Sequence, residues 1–492
     1  MATPVPDINK PASTPSTGIA DNSVGADRIP KWALKVNKWR RRIMSEFIYM
    51  LWLAFFIGIF AGFAAFIFNR LISIVTDIFT AHIMPGKLNW WLIPVPVAGI
   101  LITGIFTRYI VRTNLTHGVT QLSRDLNKGL YRLRRNIIYS PIIGSTITLG
   151  FGGSAGSEGP IAYSGAAIGS NVGRVLGVNE AMMKILIACG AGAGISGIFQ
   201  SPMGGLLFTI EYLRMDLGAM PLLAVTLACF VAYGIVFICH GCVPSHTFTP
   251  IDTLEPHHYW AVMAFGVFCG IYALYYSAVI NRTDGIFIKI QNPWVRNISG
   301  GIVIGISIFL FPSLYGVGYP ILSDTIHARF NDLINGNVLM GIHMGAWEMI
   351  IVATCILIIK CWACGTCNAC GGVSSDFAPT MFAGGICGFL FTTFCNHMWG
   401  LHLPVGLFTF LGMSGVMAGA VEAPLMTIFI VLSMGMSYDF ALPIAITVLF
   451  SYVTVRIGSH VRGYDSMMMK HLHWFHHRDN VSDTTSSPEA NK

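Results

Sequence analysis

Long apolar runs, separated by short breaks rich in glycine and proline, occupy this chain from Met44 to Ile457. The first covers Met44 to Ile83 and the second Trp90 to Tyr109; later ones lie near 161–175, 181–199, 221–239, 260–280, 298–311, 349–361, 380–394, 407–432 and 441–457. At ~20 residues per full span, 492 residues hold on the order of 10–18 spanning or re-entrant helices. Ile137–Leu149 and Gly204–Leu213 are too short to span upright, and the 407–432 run is expected to break near Gly419–Pro424. Only 11% of the residues are charged, against roughly 25% in a soluble protein. The 53 glycines suit close helix packing and broken helices. The expected fold class is an all-α polytopic membrane protein.

The net charge of +7 is concentrated in short loops and at the ends, which points to membrane topology and away from nucleic acid. Lys31, Lys35, Lys38 and Arg40–Arg42 precede the first apolar run, so the N-terminus is expected in the cytoplasm. No apolar signal segment stands among the polar first thirty residues. The expected organisation is a polar, basic tail over 1–42, two transmembrane halves over 43–240 and 241–470, and a second cytoplasmic tail over 471–492. In that tail Trp474 and Phe475, beside His471, His473, His476 and His477, are expected to anchor at lipid headgroups.

Between two apolar runs lies Gly152-Gly153-Ser154-Ala155-Gly156-Ser157-Glu158-Gly159-Pro160. A carboxylate at membrane depth costs ~2.5–3.5 kcal/mol even on insertion-based scales, which makes Glu158 a functional candidate. Gly159 and Pro160 are expected to open the helix that follows, since proline suits a first helical turn. The N–H groups at such a helix start form an anion site with no cationic side chain. An acid placed on an anion site can act as a gate.

The pattern recurs. Gly152-Gly153, Pro160, Gly165 and Gly169 return as Gly371-Gly372, Pro379, Gly384 and Gly388 at a single offset, with Phe382 matching Tyr163. Paired, interrupted hydrophobic segments in two halves predict a midplane binding site built from helix ends.

With these motifs the chain resembles the CLC family of chloride channels and proton-coupled anion antiporters, in a prokaryotic-type form without CBS domains, from about Arg41 to Lys470. Gly156–Pro160 matches the family's G-x-E-G-P motif. Ser375-Asp376-Phe377-Ala378-Pro379 matches G-x-F-x-P, with serine in place of the usual glycine. Gly463-Tyr464-Asp465-Ser466 lies where the filter tyrosine is carried. Gln200–Gly205 with Phe208–Glu211 resembles A-P-x-x-G-x-x-F-x-x-E. The resemblance implies an inverted repeat of two halves with broken and re-entrant helices, and a homodimer with one pore per subunit. It implies a filter of Thr116, His117, Gly118, Gly156, Ser157, Glu158, Gly159, Pro160, Asp376, Phe377, Ala378 and Tyr464, gated by Glu158. The cargo would be chloride or another small anion, in a multi-pass protein of the cell (inner) membrane. Neither cofactor nor enzymatic activity is expected.

Two departures bear on that expectation. Thr116-His117-Gly118-Val119-Thr120 stands where the family has G-S-G-I-P, so an imidazole replaces the serine hydroxyl near the central anion, and chloride preference does not carry over. Tyr212, after Glu211, falls where antiporters carry an internal proton-passing glutamate, and a phenol with an unperturbed pKa of ~10 carries protons poorly. Glu211 and Tyr212 thus mark an uncertain proton pathway, with Glu211 expected to pair with Arg214. Three readings stand: an exchanger in which Glu158 couples anions to protons, a passive voltage- or pH-gated channel of the same fold, and a membrane metal or redox protein built around the run Cys361, Cys364, Cys367 and Cys370. Asp376 is expected to cap the helix after it, the alternative being an added acid that repels anions or moves protons. Cys361, Cys364, Cys367 and Cys370 drift by ~60° per step on a helix, so they are expected to pack and not to converge on a metal; the other cysteines are read as buried thiols.

Overall fold

A computed structural model describes residues 44–83, 89–113, 115, 118–215, 218–243, 248, 254–327 and 345–462. Sixteen α-helices and no strand of a sheet appear among them. The first half comprises α1 (Glu46–Ile83), α2 (Pro94–Ile105), α3 (Gly118–Asn127), α4 (Ser140–Gly150), α5 (Glu158–Leu176), α6 (Glu180–Phe199), α7 (Pro202–Leu207) and α8 (Ala219–Cys239). The second comprises α9 (Tyr259–Phe287), α10 (Pro293–Leu310), α11 (Tyr319–Ile326), α12 (Ala346–Ala369), α13 (Phe377–Trp399), α14 (Val405–Val421), α15 (Pro424–Gly435) and α16 (Ala441–Arg462). Nine helical segments among the described residues are long and apolar enough to cross a membrane. Helices satisfy their own backbone groups, which is why they can stand in hydrocarbon.

Local chemistry sets many of the starts. The side chains of Asn179, Ser201 and Asn292 accept hydrogen bonds from the first turns of α6, α7 and α10. Proline opens α2, α7, α10 and α15. The 407–432 run breaks as expected, at Glu422 and Ala423 between α14 and α15. The polar stretch from Arg112 to Arg135, expected only as an interruption, contains α3, whose buried face is Val119, Leu122, Ser123 and Leu126.

The two halves are related by inversion, and backbone contacts at the site agree with that relation. Gly156 and Ser375 occupy equivalent places in the repeat, and they pair with each other in an antiparallel bridge. Gly156 N–H donates to Ser375 O at 2.8 Å, and Ser375 N–H donates to Gly156 O at 2.9 Å. Equivalent residues can pair reciprocally in this way only about a twofold axis running between them. The same relation holds nearby: Gly153 N–H bonds Thr148 O, as Gly372 N–H bonds Cys367 O. Gly152 and Gly371 share a φ of 94° and 98°. Gln200 and Glu422 both turn left-handed, at φ 51° and 58°, before Ser201-Pro202 and Ala423-Pro424. The axis brings the N-termini of α5 and α13 together at the centre of the molecule.

Close approach holds each half together. A Cβ on Gly165 would stand 2.1 Å from Gly190 O, and one on Gly384 would stand 2.0 Å from Gly412 O. Helices α5 and α6, and their counterparts α13 and α14, therefore pack backbone to backbone, the way small residues drive association in lipid.

Candidate functional site

Glu158 begins α5 and is completely buried. Its carboxylate reaches across the twofold axis into the other half. Tyr319 O–H, at the start of α11, donates to Oε1 at 3.2 Å. Ser375 O–H donates to Oε2 at 3.0 Å, and Ala378 N–H, in the first turn of α13, donates to the same oxygen at 3.4 Å. A carboxylate thus sits on the N-terminus of a helix, where N–H dipoles favour negative charge. Gly156 is required here by space: a Cβ on it would lie 2.3 Å from Glu158 Oε2.

Cavities border the partners of this carboxylate on two sides. The larger, about 570 Å³, is lined by Ser157 and Tyr319 together with Arg70, Ser73 and Asp77 of α1. The smaller, about 70 Å³, is lined by Gly118, Val119, Thr120, Tyr212, Ser375, Asp376 and Phe377, with Glu422 at the end of α14. Ser157 and Tyr319 face the first cavity, Ser375 and Phe377 the second, and Glu158 stands between them.

The structure therefore brings Gly118, Gly156, Ser157, Glu158, Gly159, Pro160, Asp376, Phe377 and Ala378 to one place at the meeting of α3, α5 and α13. Thr116, His117 and Tyr464 lie outside the described residues. Tyr212 lines the smaller cavity, stacked on Phe208 at 5.4 Å and edge-on to Phe377 at 5.0 Å. Glu211 does not pair with Arg214. Its oxygens accept N–H bonds from Leu425 (3.2 Å) and Met426 (2.8 Å), so it caps α15 instead. Burial pushes this carboxyl up from its ordinary range, and the two N–H groups partly offset that.

Asp376 differs from expectation as well. It occupies the N-cap position of α13, yet its side chain makes no capping bond. The carboxylate turns to α12, where Oδ1 accepts from Asn368 Nδ2 at 2.6 Å and from Cys364 Sγ at 3.2 Å. Asn368 Oδ1 accepts in turn from Ser374 O–H at 2.6 Å. A charged acceptor with two side-chain donors outweighs a helix-end contact.

In the run of Cys361, Cys364, Cys367 and Cys370, Cys361 meets Tyr272 O–H at 3.1 Å and Cys367 meets Ser374 Oγ at 3.8 Å. All four are buried thiols. Sequence reasoning assigned no role to Tyr319 or Lys360. Lys360 is fully buried; its Nζ donates to Ser154 Oγ at 2.8 Å and to Gly316 O at 3.4 Å and lies 4.8 Å from the Phe382 ring. A lysine inside an apolar run was the available signal.

Two inverted halves whose helix N-termini meet at a buried acid define a class of membrane transport protein. Comparison with known proteins gives the family. A profile described as voltage gated chloride channel matches residues 98–456, well over half of the chain, which belongs to that family. The chain is 26% identical over 417 residues to a ClcB-like protein of Ralstonia nicotianae, covering 82% of this chain and 89% of the relative. It is 25% identical over 427 residues to the H(+)/Cl(-) exchange transporter ClcA of Vibrio cholerae serotype O1, covering 83% and 86%. Among solved structures, a slow cyanobacterial Cl-/H+ antiporter superposes with a TM-score of 0.72 at 19% identity, covering 88% of this chain and 99% of that one.

Proposed function

We propose that this protein moves chloride across the cell (inner) membrane in exchange for protons, with the Glu158 carboxyl as the gate. The carrying observation is the carboxylate held on the N-terminus of α13 between two cavities. Ionised, Glu158 occupies the donors that an anion would use, and the path is closed. Protonated, it loses the attraction of the helix end and swings into the larger cavity, and an anion takes the Ser375 and Ala378 donors. One group then alternates between carrying a proton and yielding to an anion, which is the requirement for exchange. Chloride is supported by the exchange chemistry named for the ClcA relative.

Within this reading Gly118 borders the path at the smaller cavity, and Thr116, His117 and Tyr464 complete the filter. Basic residues from Arg112 to Arg135 flank α3, which gives that side to the cytoplasm by the positive-inside rule, along with both termini. The halves are 43–240 and 241–470, between tails at 1–42 and 471–492, and the working unit is a homodimer with one pore per subunit. Chloride efflux from proteoliposomes, measured between pH 4.5 and 7.5, tests the gate. Glu158→Ala is expected to give faster efflux that no longer varies with pH. A variant retaining the pH profile of the unaltered protein would remove Glu158 from the mechanism.

A further inference from the structure

Proton exchange moves protons between Glu158 and the cytoplasm, and position 212 offers a tyrosine packed between two phenylalanine rings. We propose that Asp376 is the group that passes them, which rests on the proton-coupled reading above. Three observations carry it. Asp376 borders the smaller cavity, whereas Tyr319 borders the larger one. Both of its side-chain donors among the described residues fall on Oδ1. Its neighbour Ser375 lines the same cavity and donates to Glu158 Oε2. The cavity that both residues line, about 70 Å³, has room for a few waters.

The transfer balances without a further reactant. A proton leaving Glu158 Oε2 is taken by Ser375 Oγ, which releases its own proton to cavity water. That water passes one to Asp376 Oδ2, and Asp376 gives it up to the cytoplasmic end of the cavity. The reverse order loads Glu158. The groups around Asp376 are consistent with a carrier of small net charge: Cys364 and Cys367 from α12, Tyr276 and Asp284 from α9, Tyr212, and Glu422, the last held 3.8 Å from Arg456. Of the carboxyls here, Glu422 is engaged by a cation and Asp284 does not line the cavity. Asp376 is the acid adjacent in sequence to the Glu158 donor.

The test reads chloride efflux and external pH together in proteoliposomes under an imposed chloride gradient. Asp376→Asn keeps an oxygen for Asn368 and Cys364 and removes the titrating proton. Read at whatever chloride efflux the variant retains, the proton-to-chloride ratio is expected to fall at least tenfold. Asp376→Glu is expected to restore part of the ratio, as a merely structural role would not require. Should Asp376→Asn fail to fold, Asp376→Ser, which offers a smaller acceptor to the same donors, is read in the same way. A folded Asn or Ser variant with the unaltered ratio overturns the proposal and leaves the exchange reading standing. So does a Tyr212→Phe variant that loses the ratio while Asp376→Asn keeps it. Chloride flux with no proton movement in the unaltered protein overturns both.

Discussion

The Glu158 carboxylate is held by three donors of unequal kind, a phenol, a serine hydroxyl and a backbone N–H. Each stabilises the ionised form, which closes the pore in the proposed mechanism, and a hydrogen bond to a charged group is worth ~1.5–3 kcal/mol. Tyr319→Phe removes one donor with little change of shape. The gate should then protonate more readily, so the pH of half-maximal chloride flux should rise by ~1–2 units, at 1.36 kcal/mol per unit. A flux titration on Tyr319→Phe checks this, and an unchanged midpoint would mean that the phenol only packs. Glu158 was legible in the sequence because an acid among apolar residues has few structural excuses. Tyr319 was not, since it lies 161 residues away and nothing local marks it. Asp376 was legible as an acid in the second loop, but its partners Asn368 and Cys364 belong to the preceding helix, and no spacing rule joins them.

At the scale of elements, positions where backbones touch decide the packing. Gly165→Ala would drive a methyl against the carbonyl of Gly190, with backbone on both sides and no flexible side chain to move. Overpacking of this kind costs ~1–3 kcal/mol or more. The variant should melt earlier in detergent and yield less folded protein, and Gly384→Ala should behave alike because Gly412 O stands equally close. A surface glycine such as Gly234, with open space around it, should tolerate alanine. Runs of apolar residues made most helices readable, and Pro424 made the break after α14 readable. Helix α3 was missed because it lies at a polar edge and half of its residues face away from the core. The capping role of Glu211 was missed because α15, the helix that it caps, begins more than two hundred residues later.

For the whole molecule the repeat is the organising fact. Five identities at one offset suggested duplication, and the reciprocal pairing of Gly156 with Ser375 turns that into a twofold axis through the site. At the position where the first half keeps Gly156, the second half has Ser375, and its extra hydroxyl binds the gate. The two halves are thus alike in backbone and unlike in chemistry: one supplies the acid, the other the helix end and hydroxyls that receive it. If that division underlies exchange, protons and chloride must move as one stoichiometric process. The most direct measurement places purified protein in liposomes under an outward chloride gradient, with external pH and chloride recorded together and Glu158→Gln alongside. Proton uptake against its own gradient, abolished in Glu158→Gln while chloride still flows, is the predicted result. Fast chloride efflux with only the proton movement that voltage drives passively would contradict it.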